Sequence, residues 1–79
     1  MTPEHTRAAR GWLNWSQTEL ARRANVSLST VRDFETGRRT PISNNIAAMR
    51  RAIEDAGVKL LFDAKGNPAG VVLADAGIG

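Results

Sequence analysis

The sequence predicts a mainly α fold, in which four short helices are followed by a C-terminal antiparallel β-hairpin. Three observations predict it. Residues 1–57 contain repeated helix-start and helix-stop signals, their apolar residues recur at helical spacing, and the apolar period changes to two at Val58. The 79 residues, 42% of them hydrophobic, suffice for one small core. We therefore expect a helical domain (1–57), a hairpin (58–75) and a flexible tail (76–79).

Capping signals delimit the first two helices. The first begins at Thr2, a hydroxyl cap followed by proline, and Asn14 tolerates the left-handed conformation that ends it. His5 falls in the first turn, where we expect it to be exposed. Ser16 and Glu19 begin the second helix with the spacing of a capping box, in which each side chain bonds the other residue's amide.

The connection between the second and third helices is very short. Asn25 closes the second helix, and Ser27 caps the third only two residues later. Gly37 ends the third helix. After a loop, Ser43 is expected to cap a fourth helix that ends at Gly57. Two short helices joined by so tight a turn must cross at a sharp angle, which is the geometry of a helix-turn-helix.

The hairpin is predicted from two apolar segments that flank the turn signal Gly66-Asn67-Pro68, with a loop over residues 64–69. An isolated hairpin is marginally stable in water, so this one must pack on something. It joins a partner copy's hairpin in a four-stranded sheet, or it folds onto its own helices. We favour the dimer hypothesis. The expected interface is formed by Val58, Leu60, Leu61, Phe62, Val71, Val72 and Leu73.

The positive charge is concentrated in the helical part. Residues 1–57 contain nine Arg and no Lys against six acidic residues, which accounts for the whole net charge of +3. Arginine presents a planar fork of donors that suits phosphate groups and guanine edges better than lysine does. The charge therefore indicates nucleic acid as a partner but does not establish it.

A set of residues at fixed spacing identifies the helical part more specifically. The chain resembles the phage-repressor-like (XRE-type) helix-turn-helix family from about residue 3 to residue 56. The resemblance implies a compact lambda-repressor-like bundle that binds double-stranded DNA as a two-fold dimer, although the family's fifth helix is replaced here by the hairpin. The motif reads Trp15-Ser16-Gln17-x-x-Leu20-Ala21-x-x-Ala24-Asn25-Val26-Ser27-x-x-Thr30-Val31-x-x-Phe34-Glu35-x-Gly37-Arg38-Arg39-x-Pro41.

The resemblance assigns DNA-contacting roles to residues of the third helix, 28–36, and its surroundings. Arg32 can fork onto guanine, Ser29 can bond several base edges, and Leu28 can touch a thymine methyl group. Asp33 either accepts from cytosine N4 or steers Arg32. An ordinary solvated helix face remains the alternative for this base-reading set. The expected phosphate contacts are Gln17, Thr36, Arg38, Arg39, Thr40, Ser43 and Asn44.

Arg10 and Glu35 are expected to have a structural role. Arg10 borders the apolar stripe of the first helix, and Glu35 follows Phe34 near the end of the third helix. The resemblance pairs residues at these positions as a partly buried ion pair. Breaking such a pair leaves an uncompensated charge in the interior.

The function expected is a sequence-specific transcriptional repressor that binds an inverted-repeat operator as a homodimer. The alternative is an interaction protein, such as a toxin-neutralising antitoxin or a protein that binds an antiactivator, with the same DNA-binding module. The sequence has no Cys and one His, so we expect no metal and no cofactor. The sequence shows no pair of a nucleophile and a base that would indicate an enzyme. We expect a cytoplasmic protein without a membrane partner, because no apolar run is long enough to span a bilayer.

Overall fold

The structure, a computed structural model, describes residues 1–73 and confirms the predicted mainly α class. The end of the expected hairpin domain at residue 75 and the expected tail, 76–79, lie outside the described residues. None of the four helices in the described part has the length and apolar composition needed to span a membrane. The elements are α1 (Pro3–Leu13), α2 (Gln17–Ala24), α3 (Leu28–Thr36), α4 (Ser43–Asp55), β1 (Val58–Phe62) and β2 (Pro68–Leu73).

Local capping interactions determine where the first three helices begin and end. At each start, a side-chain hydroxyl accepts a hydrogen bond from the amide three residues later, and at each end a left-handed residue stops the helix. These features satisfy amide and carbonyl groups that a helix leaves unpaired at its ends. The N-caps are Thr2, Ser16 and Ser27. The C-caps are Asn14, Asn25 and Gly37.

Two of the expected caps differ in the structure. The carboxylate of Glu19 does not return to the Ser16 amide, because it accepts hydrogen bonds from Arg22 and Arg23 one turn later, at 2.5 and 2.6 Å. α4 begins one residue earlier than its expected cap implies: Ile42 is the N-cap, and no side chain caps the helix. Ser43 is therefore the first helical residue and not the cap.

One apolar core joins all six elements. α2 packs against both α3 and α4, while β1 packs against α4 and β2 against α1. Alanine residues of α2 lie in this core, where their small size permits a close approach between helices. The buried apolar residues are Ala9, Leu20, Ala21, Ala24, Val31, Phe34, Met49, Ile53, Val58 and Leu60.

The hairpin folds onto the helices of its own chain. Val58 pairs with Leu73 and Leu60 with Val71, and this face of the sheet belongs to the core. The expectation that Val58 and Leu60 contact a second copy is therefore wrong, because the chain buries both residues itself. Val71 and Leu73 are also packed against the core, although they are only partly buried. The sequence favoured the dimer because it does not show which elements lie beneath the hairpin.

The opposite face of the hairpin stays accessible. Leu61 is 37% exposed and Val72 is 42% exposed. Phe62 is 40% exposed; it follows a register irregularity between Leu61 and Phe62 and packs against helical side chains. β2 begins at Pro68, two residues earlier than expected. The loop is thus shorter than expected.

The loop of the hairpin is held by Asp63. Its carboxylate accepts hydrogen bonds from the amides of Lys65 and Asn67 at 2.8 and 2.9 Å. The hydrogen bond from the Asn67 backbone is the main cause that lowers the pKa of Asp63. The charged carboxylate is therefore the form that closes this loop.

His5 connects the start of α1 to the hairpin, contrary to the expectation that it is exposed. The residue is 1% exposed. Its Nε2 lies 2.6 Å from the carbonyl oxygen of Leu61, and its Nδ1 lies 3.3 Å from the amide nitrogen of Thr2. The ring meets Phe62 edge-on, with 4.6 Å between centroids. Because a carbonyl oxygen only accepts and an amide N–H only donates, the neutral ring with its proton on Nε2 satisfies both contacts.

We predict that His5→Ala lowers the free energy of unfolding by about 1–3 kcal/mol, since it leaves the Leu61 carbonyl without its donor and opens space beside Phe62. His5→Phe restores ring volume but not the hydrogen bonds, so it should recover only part of the loss. Chemical denaturation measures both variants. Glu4→Gln, at the exposed neighbouring position, is the control and should change stability by less than about 0.5 kcal/mol. Equal stability of His5→Ala and the control would contradict this role.

Candidate nucleic-acid interface

A three-residue connection sets the angle between α2 and α3. Asn25 adopts the left-handed conformation with φ of 57°, and the amide of Val26 donates back to the carbonyl of Ala21. Ser27 then caps α3 through the amide of Thr30 at 3.1 Å. The chain thus reverses within one helical turn, and the second helix of the pair crosses the first as in a helix-turn-helix.

α3 has an inward apolar side and an outward polar side. Val31, Phe34 and Glu35 are buried. Ser29 and Arg32 are exposed, as base reading requires. The inward residues fix the helix from behind, so Ser29 and Arg32 face solvent.

The four residues expected to read bases differ in exposure and in their contacts with neighbouring side chains. Arg32 is exposed and forms no ion pair with any residue in 1–73. The hydroxyl of Ser29 lies 3.1 Å from that of Ser27, which holds it near the start of the helix. Leu28 and Asp33 are half-buried. The guanidinium group of Arg32 is therefore the most available of the four for a ligand.

Most of the residues expected to contact phosphate surround the end of α3 and the start of α4. All of these lie on the surface: Arg38, Arg39, Thr40, Ser43 and Asn44. The loop is anchored by the carbonyl oxygen of Asp33, which accepts from the amides of Arg38 and Arg39 at 3.0 and 3.3 Å. Because no side chain caps α4, the first amides of that helix also remain available to an anion.

Gln17 and Thr36 have other contacts in the structure. The side-chain amide of Gln17 donates to the Glu35 carboxylate at 3.0 Å. The hydroxyl of Thr36 donates to the carbonyl of Arg32 at 2.8 Å, as hydroxyl groups inside helices commonly do. Thr36 therefore has no free hydroxyl hydrogen for a phosphate oxygen. Gln17 keeps one amide hydrogen and its backbone N–H at the start of α2.

An open cleft of about 340 Å³ separates α3 from the start of α4. We call it the α3–α4 cleft. Four of its residues were expected at the interface: Ser29, Asp33, Arg39 and Thr40. Four others were missed by sequence reasoning: Thr30, Pro41, Ile42 and Asn45. No sequence signal identified them, because the sequence places the cap of α4 at Ser43, whereas Ile42 holds that position in the structure.

The Glu35 carboxylate connects the first three helices. Arg10 of α1 binds both of its oxygens, through Nε and Nη2, each at 2.7 Å. The Glu35 side chain is only 2% exposed. Arg10 also donates to the carbonyl of Trp15 at 3.1 Å, and Arg7 donates to the backbone carbonyl of Glu35. The hydrogen bond to Glu35 is the main cause that raises the pKa of Arg10, so the guanidinium group stays charged.

The arginines of α2 are held by neighbouring side chains. Both Arg22 and Arg23 bind Glu19, and the hydrogen bond from Arg22 is the main cause that lowers the pKa of Glu19. The guanidinium of Arg23 also lies 4.4 Å from the ring centroid of Trp15, a cation–π contact. These contacts distinguish the arginines of α2 from Arg32, whose guanidinium has no such partner in the part of the chain that is described.

Comparison with known proteins agrees with this geometry. A family model described as helix-turn-helix matches residues 7–53, which is more than half of the chain. The match covers α2, α3 and most of α1 and α4, and it ends before the hairpin. No curated protein matches the chain.

We predict that Arg10→Met lowers the free energy of unfolding by about 3–5 kcal/mol, because it leaves the buried Glu35 carboxylate without its counter-ion. The double variant Arg10→Met, Glu35→Leu should be more stable than the single one, since no charge is then stranded. Chemical denaturation measures both.

The control for this prediction is Arg22→Met, which breaks an exposed pair and should cost less than about 1 kcal/mol. A normal unfolding midpoint for Arg10→Met, or a double variant less stable than the single one, would count against the structural role of the pair.

Proposed function

This chain belongs to the helix-turn-helix family of DNA-binding transcription regulators, and on that premise we propose that it is a sequence-specific repressor. It binds an inverted-repeat operator as a homodimer, with α3 in the major groove of each half-site. The observation that carries the proposal is the outward side of α3, where exposed polar residues are backed by buried Val31 and Phe34 and flanked by arginines.

Base recognition would rest mainly on Arg32. Its exposed guanidinium suits the O6 and N7 acceptors of guanine, and Ser29 can bond a neighbouring base edge. Leu28 can meet a thymine methyl group. Asp33 either accepts from cytosine N4 or orients Arg32, since a carboxylate is repelled by phosphates.

Phosphate contacts would position α3 in the groove. Arg38, Arg39 and Thr40 follow α3 directly, so they reach the backbone that borders the same half-site. Ser43 and Asn44 add the uncapped amides of α4 and the positive end of its dipole. Gln17 offers a similar contact at the start of α2. Thr36 is excluded from this set because its hydroxyl is bonded within the helix.

The homodimer is supported by the exposed face of the hairpin. One module makes few contacts with DNA, and two copies double both the phosphate contacts and the base readout. Leu61 and Val72 remain on the outer face of the sheet, and Phe62 is partly accessible. Burial of these side chains between two hairpins would remove apolar surface from water. The alternative is that the same face binds a foreign protein, as in an antitoxin. The mass of the chain in solution distinguishes the two, because a homodimer has twice the mass of the monomer.

We predict a division of roles between Arg32 and Arg38 on an operator selected from random DNA. Arg32→Ala should relax the preference at one base pair per half-site by about 1–3 kcal/mol. Arg38→Ala should weaken binding to all sequences alike. It should also reduce the slope of log K against the logarithm of the salt concentration by about one. Titrations on matched and mismatched duplexes at several salt concentrations measure both.

The selected sequences should form an inverted repeat with half-site centres about 34 Å apart or a small multiple of this distance. Binding without any sequence preference would overturn the proposed regulator. An Arg32→Ala effect that is uniform over sequences would remove Arg32 from base reading.

We predict a homodimer in solution in the absence of any partner, measured by light scattering or sedimentation. Leu61→Glu should shift the equilibrium to monomer, because it puts a charge on the apolar outer face of the hairpin. Ala64→Glu, the same kind of change in the exposed loop, is the control and should leave the mass unchanged. A wild-type chain that is monomeric at all concentrations would refute the homodimer and favour a foreign partner.

A further inference from the structure

Ile42 has the most exposed large apolar side chain in the described part of the protein, at 67%. It is also the N-cap of α4, where no side chain caps the helix. Ser, Thr, Asp and Asn are the usual residues at this position, and the chain uses such residues at its other three helices. Isoleucine at this position forms no capping hydrogen bond and leaves apolar surface in water. The stability of the fold therefore does not explain its presence.

The surroundings of Ile42 connect it with the DNA-facing side. It lines the α3–α4 cleft together with Ser29 and Asp33 of α3 and Arg39 of the loop. Ser29 and Asp33 are residues proposed to read bases, and Arg39 is one proposed to hold the phosphate backbone. A ligand that occupies this cleft therefore meets polar groups on one wall and an aliphatic side chain on the other.

The proposed dimer does not cover Ile42. α4 has 13 residues, and Ile42 precedes its first residue whereas β1 follows soon after its end. Arg50 of α4, which lies over the ring of Phe62, is eight residues from Ile42, or about 12 Å along the helix axis, and none of the described residues of the hairpin lines the α3–α4 cleft. The apolar face formed by Leu61 and Val72 is therefore a different surface, and Ile42 needs another partner.

Duplex DNA offers one apolar group on its base edges in the major groove, the C5-methyl group of thymine. We propose that Ile42 contacts a thymine methyl group at the edge of each half-site and is a specificity-determining residue outside α3. This inference rests on the proposed function, because it requires α3 to lie in the major groove. Asp33 and Arg39, on the same cleft, would hold the loop so that the aliphatic side chain meets the base.

Replacement of thymine by uracil tests the inference, since the two bases differ only in this methyl group. Each thymine of the selected operator is replaced in turn by deoxyuridine, symmetrically in both half-sites. For the wild type, one replacement should weaken binding about fourfold for each methyl group that is buried. Ile42→Ala should bind the thymine operator more weakly and show no difference between thymine and uracil at that position. Ile42→Val should keep most of the difference.

Two further variants separate specificity from folding. Ile42→Ser supplies the missing N-cap, so it should raise the melting temperature and still lose the thymine preference. Leu28→Ala is the matched control, because Leu28 is the apolar residue proposed to meet a thymine from α3. Its loss should affect a different thymine or none.

The outcomes distinguish this inference from the proposed function. A wild type that binds DNA selectively, together with an Ile42→Ala variant that still discriminates thymine from uracil at every position, overturns the role of Ile42 alone. The role of Ile42 is also overturned if Leu28→Ala, and not Ile42→Ala, loses the discrimination between thymine and uracil at that position. A wild type without any sequence preference overturns both proposals.

Discussion

The buried carboxylate of Glu35 is the interaction on which the arrangement of the first three helices depends. Arg10 of α1 binds both of its oxygens and Gln17 of α2 binds one of them. A carboxylate that is removed from water needs these donors, so any shift of one helix against the others leaves a charge poorly compensated. The position of α3, and with it the outward direction of Arg32, follows from this constraint.

The hairpin completes the fold on one face and leaves the other available. Val58 and Leu60 extend the apolar core of the helices, while His5 holds the carbonyl of Leu61 at the start of α1. Because a two-stranded sheet is marginal by itself, this docking is what makes the hairpin stable. The docked face belongs to the monomer, so self-association through the hairpin must use the opposite side, where Leu61 and Val72 are exposed.

Much of the recognition surface could be predicted from the sequence, because its signals are local. Ser27 and Gly37 delimit α3 by capping, and apolar residues at helical spacing identify its inward side. The exposure of Ser29 and Arg32 follows from that spacing. The α3–α4 cleft could not be predicted in the same way, since it depends on where the loop after Gly37 places the start of α4 relative to α3.

The sequence by itself determined the order of the elements, the ends of the first three helices and the polar side of α3, because these depend on neighbours within a few residues. Only the tertiary structure decided what His5 and the hairpin contact. His5 and Leu61 are 56 positions apart, and no spacing rule reports a contact over that separation. Burial of Val58 and Leu60 was likewise decided by packing, because an apolar strand face has the same pattern whether its own helices or a second molecule covers it.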